Sequence, residues 1–298
     1  MKKLIADSGS TKTDWTLIDE TGKIMMSCQT QGISPVHMQD EKIMDILCKE
    51  LVLPEQPQEV FFYGSGVTET MKSRMANLLR QAFLVAYVEA ESDMIGAARA
   101  LFGNQPGIAC ILGTGSNSCL YDGKRIVMNT PPLGYVLGDE GSGAVLGKLF
   151  LNGILKGTIS SSIKEKYFKW SGLDYPTIIN KVYREPLSNR FLASICPFIS
   201  GQIAESVKYE NGSGELKDMM SLYRMVLESF SQFYKNNIVP YVRSFDNSMA
   251  EVPPVGFVGS IAHYFQAPLT HVFSDEHHLQ IAQILQAPMS GLIKYHAI

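Results

Sequence analysis

A chain of 298 residues is longer than one ordinary hydrophobic core organises, so two domains are expected. With 45% hydrophobic and 18% charged residues it reads as globular, and no apolar run approaches the roughly 18 residues of a membrane span. A net charge of -3 without a Lys/Arg cluster excludes the electrostatic footprint of a nucleic-acid binder, so any phosphate chemistry concerns small ligands.

The start "MKKLIADSGS" has a basic pair but too few apolar residues for a signal-peptide core, and a cytoplasmic protein with no membrane partner is expected. The five cysteines, Cys28, Cys48, Cys110, Cys119 and Cys196, are scattered without a C-x-x-C pair and read as reduced and mostly buried.

In chain order, residues 4–7, 14–18 and 23–28 read as a three-stranded meander with a turn at "DETG". "EKIMDILCKELV" has helical spacing at Ile43, Ile46, Leu47 and Leu51, and "EVFFYGSG" reads as a buried strand ending in a glycine loop. "MKSRMANLLRQAF" reads as a helix, "VAYVEA" as a strand, and "DMIGAARALFG" as a helix ending at Gly103. The segment 108–128 then repeats the opening order of strand, Gly/Ser/Thr loop, strand, turn and strand. Superposing Gly9 on Gly115 places Ile5 on Ile111, Ser10 on Ser116 and Trp15 on Tyr121, which is the mark of an internal duplication. Helices are expected over 140–155, about 187–208 and 215–237, then a strand in "VPPVGFVGS". The tail "QILQAPMSGLIKYHAI" reads as a helix interrupted by Pro288 and Gly291, and "PEQPQ" and "NGSGE" as surface connections.

The loop "DSGSTKT" joins two strands of a hairpin. Small residues leave successive backbone N–H groups open to an anion, and the hydroxyls of Ser10, Thr11 and Thr13 add donors. It is not a Walker loop, because G-x-x-x-x-G-K-[ST] is absent and no helix follows. Asp7 beside such a loop would suit Mg²⁺, a hard cation held by one or two carboxylates, waters and phosphate oxygens. An ordinary hairpin turn with a capping Asp is the alternative. "LGTGSNS" sits at the equivalent place in the second copy, so a two-jaw clamp on a polyphosphate is expected. Asp93 also suits a helix N-cap, as does Ser92, and Asp139 and Glu140 in "GDEGSG" also suit a helix dipole. His263 reads as structural or solvent-facing, and the adjacent His277 and His278 point to different faces rather than forming a metal pair.

The order "DSGSTKT", "EAESDMIGAARA", "ILGTGSNS", "GYVLGDEGSGAVLGK" and "VGFVGSIAHYF" resembles the N-acetylglucosamine kinase group of the BadF/BadG/BcrA/BcrD ATPase family, within the actin, sugar-kinase and Hsp70 superfamily. The resemblance implies an α/β fold of two RNase H-like, actin-like ATPase domains, each a mixed five-stranded sheet with helices, facing a central cleft. The first would cover 1–107 and be closed by a C-terminal helix over about 286–298, and the second would cover 108–285 with helical insertions. It implies ATP-dependent phosphorylation of an amino sugar such as N-acetylglucosamine, with ATP and Mg²⁺ as cofactors, a small-molecule sugar as partner, and room for a homodimer. Asp93 matches the catalytic aspartate and Asp7 the metal carboxylate. Gly9, Ser10, Thr11, Lys12, Thr13, Gly115 and Ser116 match the phosphate loops, and Gly256, Gly259 and Ser260 the strand end that meets adenine or ribose. Ser34, His37, Ser65, Gly66, Thr114, Asn117, Gly138, Asp139 and Glu140 match positions at the sugar.

The chain departs from this pattern at Ser8 and Ser10, where glycines are usual, and at Val36, where an asparagine is common in the sugar loop "QGISPVH". Two other functions remain open at this stage. An ATPase that activates a dehydratase would need cysteines sharing an iron–sulfur cluster across a dimer, and a sugar sensor would bind the same ligands without turnover.

Overall fold

The computed structural model describes residues 1–9, 11–206, 214–246 and 250–297. The candidate phosphate residue Ser10, residues 207–208 of one expected helix and 211–213 of the expected connection "NGSGE" lie outside the described residues. Two compact units divide the chain. Unit 1 comprises Met1–Ala109, Cys119–Val127 and Ala287–Ile298, and unit 2 comprises Cys110–Ser118 and Met128–Gln286.

Unit 1 opens with the expected meander of β1 (Lys3–Ser8), β2 (Lys12–Ile18) and β3 (Ile24–Gln31). It continues through α1 (Asp40–Asp45) with a π-helical turn over Ile46–Glu50, then β4 (Glu59–Gly64), α2 (Glu69–Phe83), β5 (Tyr87–Ser92) and α3 (Asp93–Phe102). The sheet order is β3-β2-β1-β4-β5. Strands β1 to β3 pair antiparallel, while β1–β4 and β4–β5 pair parallel. Alternation sorts the faces of this sheet. Leu4, Ala6, Trp15, Phe62 and Val88 enter one core with Ile43, Met75 and Leu79 of the helices. The buried Trp15 indole donates to Thr30 Oγ1 at 2.9 Å, so its polar edge is satisfied inside that core. Parallel register aligns the strand ends, with Ser8 opposite Gly64 and Gly64 opposite Ser92.

A second sheet has the order β10-β9-β6-β7-β8, from β6 (Gly107–Leu112), β7 (Ser116–Tyr121), β8 (Ile126–Asn129), β9 (Val255–Val258) and β10 (Ile281–Leu285). Strands β6 to β8 are divided between the units. Unit 2 adds α4 (Gly134–Leu137), α5 (Gly143–Lys156), α6 (Ser161–Ser171), α7 (Tyr175–Tyr183), α8 (Ser188–Ala193) and α9 (Cys196–Ser206). Then come α10 (Gly214–Phe233) with a π-helical turn over Tyr234–Ile238, α11 (Val239–Arg243), α12 (Ser260–Tyr264), and α13 (Gln266–Thr270) with a π-helical turn over His271–Glu276. The final helix, α14 (Met289–His296), belongs to unit 1.

Several expectations are corrected. The helix expected over 187–208 is two helices, parted before Pro197, whose ring suits only a first turn. The helix expected from Glu140 starts at Gly143, because Asp139 and Gly141 take positive φ (57° and 74°) and Ser142 becomes the N-cap. The tail is not one interrupted helix. Residues 283–285 are the end of β10, paired parallel to β9, and Gly291 lies inside α14.

Gly291 is there for contact rather than flexibility. A Cβ at this position would fall 2.2 Å from the Ala100 carbonyl oxygen, so α14 lies backbone-to-backbone on α3. The last turn is anchored by His296, whose Nε2 lies 2.8 Å from Tyr63 Oη, while its ring packs on Phe61 at 3.8 Å between centroids. Arg99 of α3 donates to Tyr63 Oη at 2.8 Å and to Glu89 Oε1 at 2.5 Å, and Lys3 Nζ donates to the His296 carbonyl at 2.6 Å. Burial, then the Arg99 and Lys3 charges, pull the His296 imidazole down to about 3.

Gly291→Ala should lower stability by about 1–3 kcal/mol in denaturant titration, the usual cost of overpacking, and an unchanged midpoint would mean α14 is not seated on α3. Neutral His296 is the folded form, so the unfolded chain binds the extra proton between about pH 6.5 and 3, and stability falls as pH drops through that window. Wild type should therefore lose on the order of a few kcal/mol relative to His296→Gln across that range. The comparison with the variant cancels Asp7 and Asp93, whose raised pKa values act in the opposite direction. Parallel pH profiles would show that His296 titrates normally.

Candidate functional site

In unit 1 the site is assembled at the aligned ends of β1, β4 and β5. Side chains alternate along β1, so Leu4 and Ala6 go to the core face and Asp7 to the other, toward the start of α3. Asp7 is pushed up to about 7, first by desolvation and then by the negative charges of Asp93 and Asp14, with Lys12 acting against them. Asp93 is raised too, by burial, against hydrogen bonds from backbone N–H groups of its own turn. The N-cap alternative for Asp93 is settled by its neighbour: Ser92 is the cap, its Oγ accepting from Ile95 N at 3.3 Å. That leaves the Asp93 carboxylate outside the cap. Among the described residues neither Asp7 nor Asp93 is held in an ion pair.

The loop after β1 offers fewer donors than expected. Gly9 N donates to Lys12 O at 3.0 Å and closes the turn. Thr13 is fully buried, its hydroxyl 2.7 Å from Ser8 Oγ and 3.2 Å from the Gln31 carbonyl, so as a phosphate ligand Thr13 is corrected to a structural residue. Thr11 and Lys12 are exposed, with the Lys12 ammonium paired to Asp14 at 2.9 Å. Ser8 is equally buried, and its Oγ meets both the N–H and the carbonyl of Ile33 at 3.0 Å. The usual glycine is thus replaced by a side chain that turns inward and ties down the segment after β3.

Two of the expected sugar segments come together. Ser34 Oγ and Val36 lie against Gly66, where a Cβ would fall 2.7 Å from Ser34 Oγ and 3.5 Å from Val36 Cγ2, and where φ is 85°. Ser65 N donates to Ser8 O at 2.8 Å, so this second loop hangs from the same residue as the first. His37 is exposed beside Val36, itself 49% exposed. Sequence reasoning missed Arg74 of α2, which contacts Asp40 and the carbonyls of Pro35 and Met38, because a helix-surface arginine carries no signal of its partners.

In unit 2 the loop 113–117 is tied to the start of α5. Gly143 N donates to Gly113 O at 2.9 Å and Ala144 N to Thr114 O at 3.1 Å, so loop carbonyls satisfy the first N–H groups of the helix. The Asp139 carboxylate accepts from Ser116 N and lies against Gly115, where a Cβ would fall 2.9 Å from Oδ2. Burial raises its pKa, helped by Glu140 and opposed by the Ser116 hydrogen bond and Lys148. Glu140 accepts from Asn236 Nδ2 at 2.8 Å, and the Asn117 side-chain oxygen accepts from Ser118 N and Asn129 Nδ2. Gly138 and Glu140 also line a cavity of about 470 Å³, with Val145, Lys148 and Ser229. Gly259, at the end of β9 with φ 128°, lies against the Leu112 carbonyl, where a Cβ would fall 2.1 Å away, and Ser260 beside it is exposed. Gly256 is corrected: it is buried inside β9, opposite Gln283, and presents no surface to a ligand.

No family model matches the chain, and no curated protein does. Solved structures do match. A Porphyromonas gingivalis protein assigned as an N-acetylglucosamine kinase is 41% identical, with 99% of this chain and 98% of that one covered and a TM-score of 0.87. A second protein so assigned, from Chromobacterium violaceum, shares 19% identity over 99% of this chain and 98% of its own, with a TM-score of 0.69. A ROK family glucokinase from Streptomyces griseus, solved with glucose and AMPPNP, shares 14% over 99% and 98%, with a TM-score of 0.58. The last two show the common fold, and both sheets have its five strands. At 41% identity over nearly the whole of both chains, the first shows more: this chain belongs to the N-acetylglucosamine kinase-like family.

Proposed function

We propose that the protein transfers the γ-phosphoryl group of ATP to a hydroxyl of an N-acetylhexosamine, with N-acetylglucosamine as the leading substrate. The observation that carries this reading is the pair of desolvated carboxylates, Asp7 and Asp93, at the aligned ends of β1 and β5, the two strands that flank β4 in unit 1. In phosphoryl transfer the protein mainly positions groups and neutralises charge.

Asp93 is assigned as the base that accepts the proton of the attacking hydroxyl. Burial raises its proton affinity, which suits a group that must take up a proton at neutral pH. Asp7 fits Mg²⁺: it is a half-buried carboxylate, strongly desolvated, burdened by two like charges and relieved by Lys12, a balance that a hard cation would correct. Bound there, Mg²⁺ would supply neutralisation of phosphate charge. Thr11 and Lys12 in unit 1, and Gly115 and Ser116 in unit 2, are assigned to the nucleotide phosphates, with Gly259 and Ser260 at the nucleoside. Ser34, His37, Ser65 and Gly66 are assigned to the sugar from unit 1, and Thr114, Asn117, Gly138 and Glu140 from unit 2. Asp139 is assigned chiefly to holding the loop at Gly115 and Ser116. The exposed Val36 beside Gly66 offers an apolar contact to the methyl of an N-acetyl group.

Among the described residues the cysteines do not favour the redox-activator alternative: Cys110, Cys119 and Cys196 are buried, Cys28 is half-buried and Cys48 is exposed. Burial pushes the Cys119 and Cys196 thiols up to about 12, far from the thiolates a cluster needs.

Coupled ADP release with Mg-ATP across N-acetylglucosamine, N-acetylmuramic acid, N-acetylmannosamine, glucosamine and glucose tests the proposal. Turnover should depend on an N-acetyl sugar and fall by about 10² to 10⁴ in Asp93→Asn, as for loss of a general base. ATP turnover indifferent to every sugar would overturn the kinase reading, and near-normal turnover in the variant would remove Asp93 from the mechanism. Val36→Ala should raise KM for the N-acetyl sugar about three- to fourfold or more, the worth of at least one methyl contact at about 0.8 kcal/mol, while leaving glucosamine unaffected. Equal effects on both sugars would remove the acetyl contact.

A further inference from the structure

The segment after β3 is fixed at two points by groups from other parts of unit 1. At its start, Gly32 N donates to Thr11 O at 3.0 Å, and Ser8 Oγ takes both polar groups of Ile33. Further on, His37 N and Met38 N both donate to Ser34 O at 3.0 Å, which folds the segment into a tight turn. That turn directs the Pro35 and Met38 carbonyls toward α2. Arg74 meets both, Nη1 at Pro35 O and Nη2 at Met38 O at 2.8 Å, while its Nε donates to Asp40 Oδ1 at 2.7 Å. Three donors of one planar fork thus reach three acceptors. An ammonium, a point donor on a flexible stem, cannot reproduce that set. What the two anchors leave uncovered is the tip, where Val36 and His37 are exposed and Ser34 and Val36 lie against Gly66.

We propose that Arg74 is a positioning residue for the acceptor sugar: it fixes the 34–38 turn so that Ser34, Val36 and His37 are presented before the sugar arrives. This rests on the reading that the turn meets the sugar. Its effect belongs to sugar binding, because a turn that must be ordered on binding costs affinity for the group it contacts. Nucleotide binding, assigned to other residues, is spared.

The test is steady-state kinetics of full-length wild type, Arg74→Ala and Arg74→Lys, varying N-acetylglucosamine at saturating Mg-ATP and then the reverse. Amide hydrogen exchange over 33–40 is followed in the same proteins. Arg74→Ala should raise the sugar KM about tenfold or more with the ATP KM within about twofold. Exchange should accelerate at 34–38, and millimolar guanidinium should restore much of the sugar KM in Arg74→Ala while leaving wild type unchanged. Arg74→Lys, which keeps stem and charge, should retain a raised sugar KM, and it carries the test where the alanine variant does not fold. An unchanged sugar KM, or sugar and ATP KM rising together, overturns the proposal. So does faster exchange with normal kinetics. Wild type without sugar-dependent turnover sinks the kinase reading and this inference with it, whereas an active wild type with an unaffected variant sinks this inference alone.

Discussion

The arrangement depends on the parallel register of β1, β4 and β5. Because Ser8, Gly64 and Ser92 lie opposite one another, three chain segments leave the sheet at one edge: the turn after β1, the Ser65–Gly66 loop, and the first residue of α3. Open α/β sheets gather ligand-facing groups at the carboxyl ends of parallel strands. A slip of one residue between β1 and β4 would send Asp7 to the opposite face and Ser8 in its place. The buried set Leu4, Ala6, Phe62 and Ala90 forbids that slip, since each would exchange places with a residue of the other face. The core thus fixes the position of Asp7, which contributes nothing to the core itself.

Consecutive residues on β1 then divide the work. Asp7 faces the start of α3, desolvated and set against the charges of Asp93 and Asp14, while Ser8 faces the other way and secures the turn that follows β3. A glycine at position 8 would leave Ile33 N–H buried without that acceptor, a loss comparable to an unmade hydrogen bond. The serine that departs from the family pattern is thereby explained by the segment it holds, and Arg74 secures the far end of the same segment from α2.

The meander, its repeat, the central strands and the position of Asp93 were legible because period-two alternation and glycine turns are local signals. Less was legible where the answer depends on facing. Thr13 looks like a phosphate donor in sequence, yet strand alternation turns it inward beside Ser8, and Gly256 sits in the strand rather than at its end. The "QIL" of β10 reads as helix because it runs into an apolar-periodic stretch, and only pairing with β9 makes it a strand. Amphipathic α6 and α7 fell in a stretch with no chemistry to draw notice. Arg74 was illegible because two of its three partners are backbone carbonyls more than thirty residues away, which carry no residue code, and the third, Asp40, is one of many acidic residues equally distant in sequence.

Asp139 shows how the second copy of the motif solves the same problem by other means. In unit 1 a serine hydroxyl fixes the neighbouring loop, whereas in unit 2 the fixing group is a carboxylate on the residue that breaks into positive φ before α5. That conformation costs on the order of 1 kcal/mol or more for a residue with a Cβ, and persists only where surrounding contacts determine it. Here the contacts are the Ser116 N–H and the open flank of Gly115, where any side chain would collide with the carboxylate. The two carbonyls that cap α5 come from the same loop, so the loop is held from both sides. Strain at Asp139 and the absence of a side chain at Gly115 are therefore one feature: a glycine turn kept rigid by a strained acid.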